Sequence, residues 1–279
     1  MRLADESATI REAYPEAYAD LAVLVTELGG ATGLILIVAA IYWFSRRREG
    51  AIVASYAVAG VGLVLLLKGL FAMPRPPEEV YLATLDDDPY GFPSGHAFMS
   101  VVVYGGLLVA FDRLRDPLSV AAVATLVAAI SFSRIVLGFH YLGDIVAGAA
   151  IGIVALFVLH RVVDGDPTRG FAIGGIVAIP AVVVSGADPY ALVALGAAIG
   201  GTAASTRLES VPPLRSRLDA VLLAIGGGGY LVAVRTLESV LTTISPAAIV
   251  LTNAVLVGGI LLAPAAVGLL DTDRPGSRP

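Results

Sequence analysis

Three clusters in this chain hold side chains that are costly to place beside apolar surroundings and are therefore candidates for chemistry. The first runs from Lys68 to Pro76, with the lysine at the end of an apolar run and Arg75 seven residues on, past Pro74. The second is Pro93, Ser94, Gly95 and His96, at the start of another run. The third is Ser133 and Arg134, followed by His140 and Asp144. Each has an ordinary reading alone. Lys68 could be a snorkelling anchor, Ser94 an N-cap, and a His and Asp four residues apart share a face of any helix. Together they hold three cations, two histidines and a carboxylate, the inventory of a phosphoryl-transfer site. A phosphate ester brings up to two negative charges, and its transition state needs fixed positive groups and N–H donors around the equatorial oxygens.

The roles follow from residue type. Arg75 and Arg134 can each donate a bidentate pair, and Lys68 adds a point charge. Ser94 and Gly95 open a helix whose free N–H groups and positive dipole end favour an anion, with glycine permitting close approach. A histidine can act as nucleophile and split one displacement into two. Asp144, one turn beyond His140, is placed to accept a hydrogen bond from one ring nitrogen and leave the other facing phosphorus. His140 is thus the expected nucleophile. His96, beside the anion-binding turn, suits the general acid that protonates the leaving oxygen. His160 lies roughly 30 Å away along the same helix and is assigned to the opposite face. No metal is expected: three cations would repel a divalent ion, and Asp86, Asp87 and Asp88 read as a solvated loop among Pro and Gly. No cofactor is called for.

These residues must be positioned by membrane helices. The chain has a mean hydropathy of +0.85, 57% hydrophobic and 15% charged residues, far more apolar than a soluble domain. About nine apolar runs are long enough to read as spans: 21 to 44, 51 to 71, 95 to 111, 118 to 137, 141 to 160, 171 to 186, 189 to 205, 218 to 237 and 243 to 270, the sixth and seventh being short. The expected fold is all-α, a polytopic membrane bundle. It divides into a polar or interfacial segment 1–20, a core of about five spans over 21–162, and a C-terminal membrane extension of about four spans over 163–279. Asp5, Glu6, Glu12, Glu16 and Asp20 do not resemble a basic leader, so the first span is expected to be retained. With no cysteine, disulfide and thiolate chemistry are excluded, and a net charge of -5 argues against nucleic acid as partner.

Basic residues orient the bundle. With the N-terminus outside, twelve of eighteen fall inside, including Arg46, Arg47, Arg48, Arg274 and Arg278. Three of the six left outside, Lys68, Arg75 and Arg134, belong to the clusters. The clusters then share the extracytoplasmic face and the C-terminus is cytoplasmic.

The three clusters match K-x6-RP, PSGH and SR-x5-H-x3-D, so residues 50 to 160 resemble the type 2 phosphatidic acid phosphatases, eleven specified residues falling in order. The resemblance implies a helical, metal-independent phosphatase in which His140 forms a phosphoenzyme and His96 is the acid. It implies a lipid phosphate or prenyl pyrophosphate as substrate and the cell membrane as location. The vanadium haloperoxidases share this site, but those working relatives are soluble. Nine spans and an outward site also resemble the glucose-6-phosphatase branch, which acts on a soluble ester. Asp144 fits the lipid phosphatase pattern. A transporter would show paired repeats, which are not found here, and a headgroup-binding protein would need no nucleophile. The Gly- and Ala-rich extension, with Asn253 as a rare polar group, reads as packing surface or a homo-oligomer contact.

Overall fold

In a computed structural model residues 2–84, 88–241 and 245–270 are described, and their regular structure is helical, with one isolated bridge between Pro74 and Tyr90. The helices are α1 (Ala4–Ala13), α2 (Ala19–Glu27), α3 (Ala31–Phe44), α4 (Arg47–Phe71), α5 (Gly95–Ala110), α6 (Pro117–Val136), α7 (Leu142–Val163), α8 (Pro167–Val184), α9 (Pro189–Ser205), α10 (Arg217–Leu241) and α11 (Pro246–Leu270). Local chemistry starts several of them. Asp116, Asp166 and Asp188 each cap a helix whose first residue is proline, so the missing N–H costs nothing and the acid faces the positive end of the dipole.

Six of these helices, α4, α6, α7, α8, α10 and α11, are long and apolar enough to cross a membrane, and a seventh span is gained if α2 and α3 are taken as one. The expected nine are thus not reached. At 1.5 Å per residue, α5 and α9 extend only about 24 to 26 Å, short of about 30 Å of hydrocarbon. The sixth expected span starts earlier than its apolar run suggests, at Pro167, and qualifies, while the third does not. α11 continues through Pro264. Arg274 and Arg278 lie outside the described residues.

Buried Tyr56, Phe98, Val102, Val103 and Ile130 form the main apolar core where α4, α5 and α6 meet. The C-terminal extension shares its packing with the preceding half. α8 lies along α4 so closely that a Cβ on Gly62 would stand 3.3 Å from the Ala178 nitrogen, and one on Gly174 3.2 Å from that of Ala59. Such backbone approach is how helices associate where lipid removes the hydrophobic drive between them. The segment 1–20 is not free of the bundle. α1 packs on α6 and α7, and its Ser7 is fully buried, its hydroxyl accepting from the Leu142 N–H at 2.8 Å.

Candidate active site

The three clusters converge at one end of the bundle, where α4 and α6 finish and α5 and α7 begin. After α4 the chain turns through Ala72 with φ 47°, and residues 73–75 run beside 90–91, paired by the Pro74–Tyr90 bridge and a Gly91 N–H bond to the Met73 carbonyl at 2.8 Å. This pairing aims two backbone carbonyls inward. The Tyr90 carbonyl accepts from Lys68 Nζ at 2.7 Å, and the Gly91 carbonyl lies 2.8 Å from His140 Nδ1.

That second contact sets the histidine. A carbonyl can only accept, so Nδ1 carries the proton and Nε2 keeps its lone pair. Arg75 Nη1 stands 3.2 Å from Nε2 and 3.2 Å from the Phe139 carbonyl. His140 is 1% exposed, and burial together with the charges of Arg75, Arg134 and Lys68 holds its pKa well below the ordinary value. The ring is therefore neutral near pH 7.

Asp144 was expected to take the ring proton. Instead its Oδ2 lies 3.7 Å from Nδ1, beyond a hydrogen bond. Its oxygens are engaged elsewhere: Arg2 Nε and Nη2 each donate at 2.7 Å, and the Tyr141 N–H donates at 2.9 Å as part of the start of α7. The carboxylate is fully buried beside the ring without bonding to it, and the Gly91 carbonyl fixes the tautomer.

The second cluster is assembled around Ser94. Its hydroxyl caps α5 through the Ala97 N–H at 3.5 Å, and its own N–H donates to the Asp144 carbonyl at 3.0 Å, joining the second cluster to the third. Gly148 allows this join, because a Cβ there would stand 2.6 Å from the Ser94 carbonyl oxygen. Lys68, 4% exposed, passes over Gly95, whose added Cβ would lie 3.7 Å from Lys68 Cε. After the first six residues of α5 a π-helical turn, Val101–Gly105, interrupts the α pattern, an irregularity often found beside functional sites.

Asp88 departs from the solvated loop expected for it. Its Oδ2 accepts from both Lys68 and Arg75 Nη2, the latter at 3.0 Å, while its carbonyl accepts from Arg75 Nε at 2.7 Å. Burial raises its pKa, but Lys68, Arg75 and the Tyr90 N–H outweigh that and hold it below the usual carboxylate value. A carboxylate thus sits on two of the three cations. Asp86 and Asp87 lie outside the described residues. A cavity of about 950 Å³ opens here, bounded by Arg75, Tyr81, Leu82 and Asp88. Among the described residues no three His, Asp or Glu side chains converge to hold a metal.

Arg134 and His96 face the bent pair α2 and α3, whose axes differ by 46°. The bend follows from Gly29 and Gly30. A Cβ on Gly29 would meet Ile130 Cγ2 at 2.5 Å and His96 Cδ2 at 3.4 Å, so the imidazole rests on the bare backbone of the break. One residue before Glu27, Thr26 accepts from Arg134 Nη1 at 3.0 Å, and the guanidinium lies 4.4 Å from the Phe139 ring centre. His96 is coupled by charge to His140, Arg134, Lys68 and Arg75. His160 is elsewhere, 3.3 Å from the Tyr56 hydroxyl.

All eight residues singled out from sequence, Lys68, Arg75, Ser94, Gly95, His96, Arg134, His140 and Asp144, lie in this one region. Arg2, Thr26, Asp88 and Gly91 were not foreseen. Arg2 and Thr26 come from segments remote in sequence, and Gly91 acts through a backbone atom with no sequence signature.

Residues 48–167 match the PAP2 superfamily, a stretch that holds every cluster but neither Arg2 nor Thr26. The chain is 36% identical over 104 residues to lipid phosphate phosphatase delta of Arabidopsis thaliana, a match covering 32% of this chain and 25% of that protein. It therefore spans about a quarter of the length of this curated relative. No solved structure matches it significantly. All three clusters, gathered in one site, lie inside the stretch that is similar to the PAP2 superfamily, residues 48–167 of this largely apolar helical chain.

Proposed function

We propose that this protein hydrolyses a lipid phosphate monoester or prenyl pyrophosphate through a phosphohistidine at His140, without a metal, at the extracytoplasmic face of the cell membrane. The observation that carries the reading is the state of His140: neutral, protonated on Nδ1 by its bond to the Gly91 carbonyl, with the Nε2 lone pair directed to the side where Lys68 and Arg75 hold a carboxylate.

In the first step Nε2 attacks phosphorus and the bond to the leaving oxygen breaks. Lys68, Arg75, Arg134 and the free N–H groups opening α5 carry the charge on the equatorial oxygens. His96, protonated for this step, gives its proton to the leaving alkoxide. The imidazolium formed at His140 keeps Nδ1–H on the Gly91 carbonyl, and the Asp144 carboxylate nearby offsets its charge. In the second step His96 takes a proton from water, hydroxide oxygen attacks phosphorus, and the bond from phosphorus to Nε2 breaks. Inorganic phosphate leaves and both histidines return to their starting forms.

A lipid is favoured over a soluble ester by the rim. Leu70, Phe71 and Met73, next to the Arg75 loop, are exposed apolar side chains, and Phe71 stacks edge-on against Phe92 at 5.1 Å. A sugar phosphate would gain little from them. The twelve basic residues assigned to the opposite side support the outward orientation and a cytoplasmic C-terminus.

The deciding experiment is phosphate release by detergent-purified protein in EDTA, with phosphatidic acid, a prenyl pyrophosphate and glucose 6-phosphate, beside a His140→Ala variant. Release by the wild type alone, highest on a lipid and inhibited by vanadate, is expected. Activity lost in EDTA would overturn metal independence. Preference for glucose 6-phosphate would overturn the lipid assignment.

A further inference from the structure

Arg2 lies 142 residues from Asp144 in sequence, yet its guanidinium makes a two-pronged ion pair with it, Nε to Oδ1 and Nη2 to Oδ2, both at 2.7 Å. The same side chain donates from Nη1 to the Pro74 carbonyl at 2.6 Å, one residue before Arg75. It crosses Gly91 so closely that a Cβ there would stand 2.7 Å from Nη2, and it lies 4.7 Å from the Tyr141 ring centre. Its own carbonyl accepts from the Gly143 N–H at 3.1 Å. One guanidinium therefore ties together three groups on the Nδ1 side of His140: the carboxylate, the loop carrying Arg75, and the backbone whose carbonyl holds the ring proton.

We propose that Arg2 is a positioning residue for His140, acting through Asp144. Resting on the phosphatase reading above, it explains why an invading carboxylate does not take the ring proton. Asp144 is fully buried, and a buried carboxylate seeks every donor in reach. Arg2 supplies two of its three hydrogen bonds, and the Tyr141 N–H supplies the third. Without Arg2, the Tyr141 N–H alone of the three would remain, and Nδ1–H lies 3.7 Å from Oδ2. The carboxylate would turn to that proton, draw it from the Gly91 carbonyl and tilt the ring, moving Nε2 off the line of attack. Loss of the Pro74 contact would loosen Arg75 at the same time. The planar fork matters, since an ammonium cannot hold both oxygens in one plane.

The test is steady-state phosphate release by the full chain in detergent, comparing Arg2→Ala and Arg2→Lys in the wild-type and Asp144→Asn backgrounds, with folding checked by gel filtration. Arg2→Ala is expected to lower kcat about 10- to 100-fold, the range for removing a group that orients a working imidazole. KM should change by less than about 2-fold, with Arg2→Lys between the two. In Asp144→Asn, removing Arg2 should cost less than about 2-fold, because its target is gone. An equal loss in both backgrounds, or a loss confined to KM, would mean that Arg2 only docks the N-terminal arm and would overturn the proposal. If Arg2→Ala fails to fold, or the Asp144→Asn rate falls below detection, Arg2→Lys decides: wild-type kcat overturns the proposal, and a reduced kcat at unchanged KM upholds it. A wild type that releases no phosphate from any of the three substrates would instead sink the phosphatase reading, and this inference with it.

Discussion

The residue that most alters the picture of the site is Asp88. Its carboxylate bridges Lys68 and Arg75, the cations to which the proposed reaction assigns the phosphate oxygens, so a substrate bound in that way would displace it. Asp88→Asn should then bind vanadate about tenfold more tightly, about 1.4 kcal/mol. The same change should lower the thermal midpoint of the anion-free protein, since buried Lys68 and half-buried Arg75 lose their counter-charge. Vanadate titration by inhibition, with thermal melts in detergent, checks both halves; weaker vanadate binding would mean that Asp88 positions the cations. His140 gives a pH prediction. Its folded pKa lies well below the unfolded value of about 6.5, so the neutral imidazole proposed as nucleophile survives to more acid pH. The acid limb of kcat/KM should fall below pH 6.5, measured with two esters of different phosphate pKa so that the shared limb belongs to the enzyme. The linked stability is complete above about pH 6.5 and declines as pH falls toward the folded pKa. At this scale types and spacings were legible and partners were not. The i to i+4 step correctly put Asp144 near His140, yet the hydrogen bond went to a glycine carbonyl because Arg2 had claimed the carboxylate.

At the scale of elements, two breaks in helical structure bring the clusters together. Gly138, between α6 and α7, has φ 82°, and a Cβ there would stand 2.2 Å from the Val80 carbonyl oxygen. Only glycine fits, so Gly138→Ala should cost on the order of 2 to 3 kcal/mol through strain and clash, displace His140 two residues on, and lower kcat, as melts and phosphate release would show. The break at Gly29 and Gly30 was visible as a glycine pair, but the first apolar run reads through it as one span. Apolar periodicity records that a segment is buried in lipid and is blind to a bend whose use is to seat His96 and bring Thr26 to Arg134. The third expected span, 95 to 111, has nearly the bounds of α5, but the turn at Pro93 and Ser94 and the end at Ala110 leave it about 24 Å long, short of the hydrocarbon layer.

Across the whole molecule, the extension is joined to the core by bare backbone surfaces. α9 meets α11 where a Cβ on Gly200 would stand 2.0 Å from the Ala254 carbonyl oxygen, and one on Gly196 2.3 Å from that of Val250. Gly200→Val should therefore destabilise the protein by about 1 to 3 kcal/mol while leaving the substrate preference unchanged, a result readable from melts and relative rates on the three substrates. Asn253, noticed as a polar residue in an apolar run, proves to donate to Glu238 at 2.6 Å, and Glu238 pairs with Arg235 at 2.5 Å, so its role is to tie α10 to α11. The glycine content of these helices suggested close packing. It could not say which glycines pack inward, and Gly226, Gly228 and Gly229 meet nothing within 4 Å.

The shortness of α5 has a consequence for the surrounding bilayer. The helix that begins at Ser94 and Gly95 is about 6 Å shorter than an average hydrocarbon layer. Either its first turn lies below the level of the neighbouring headgroups or the lipid thins around it, and both bring the phosphate of an adjacent lipid to the depth of Ser94 with less vertical travel in a thin membrane than in a thick one. Turnover of a lipid phosphate in nanodiscs should rise as the acyl chains of the host lipid shorten, while hydrolysis of a soluble ester at the same site should be indifferent to them.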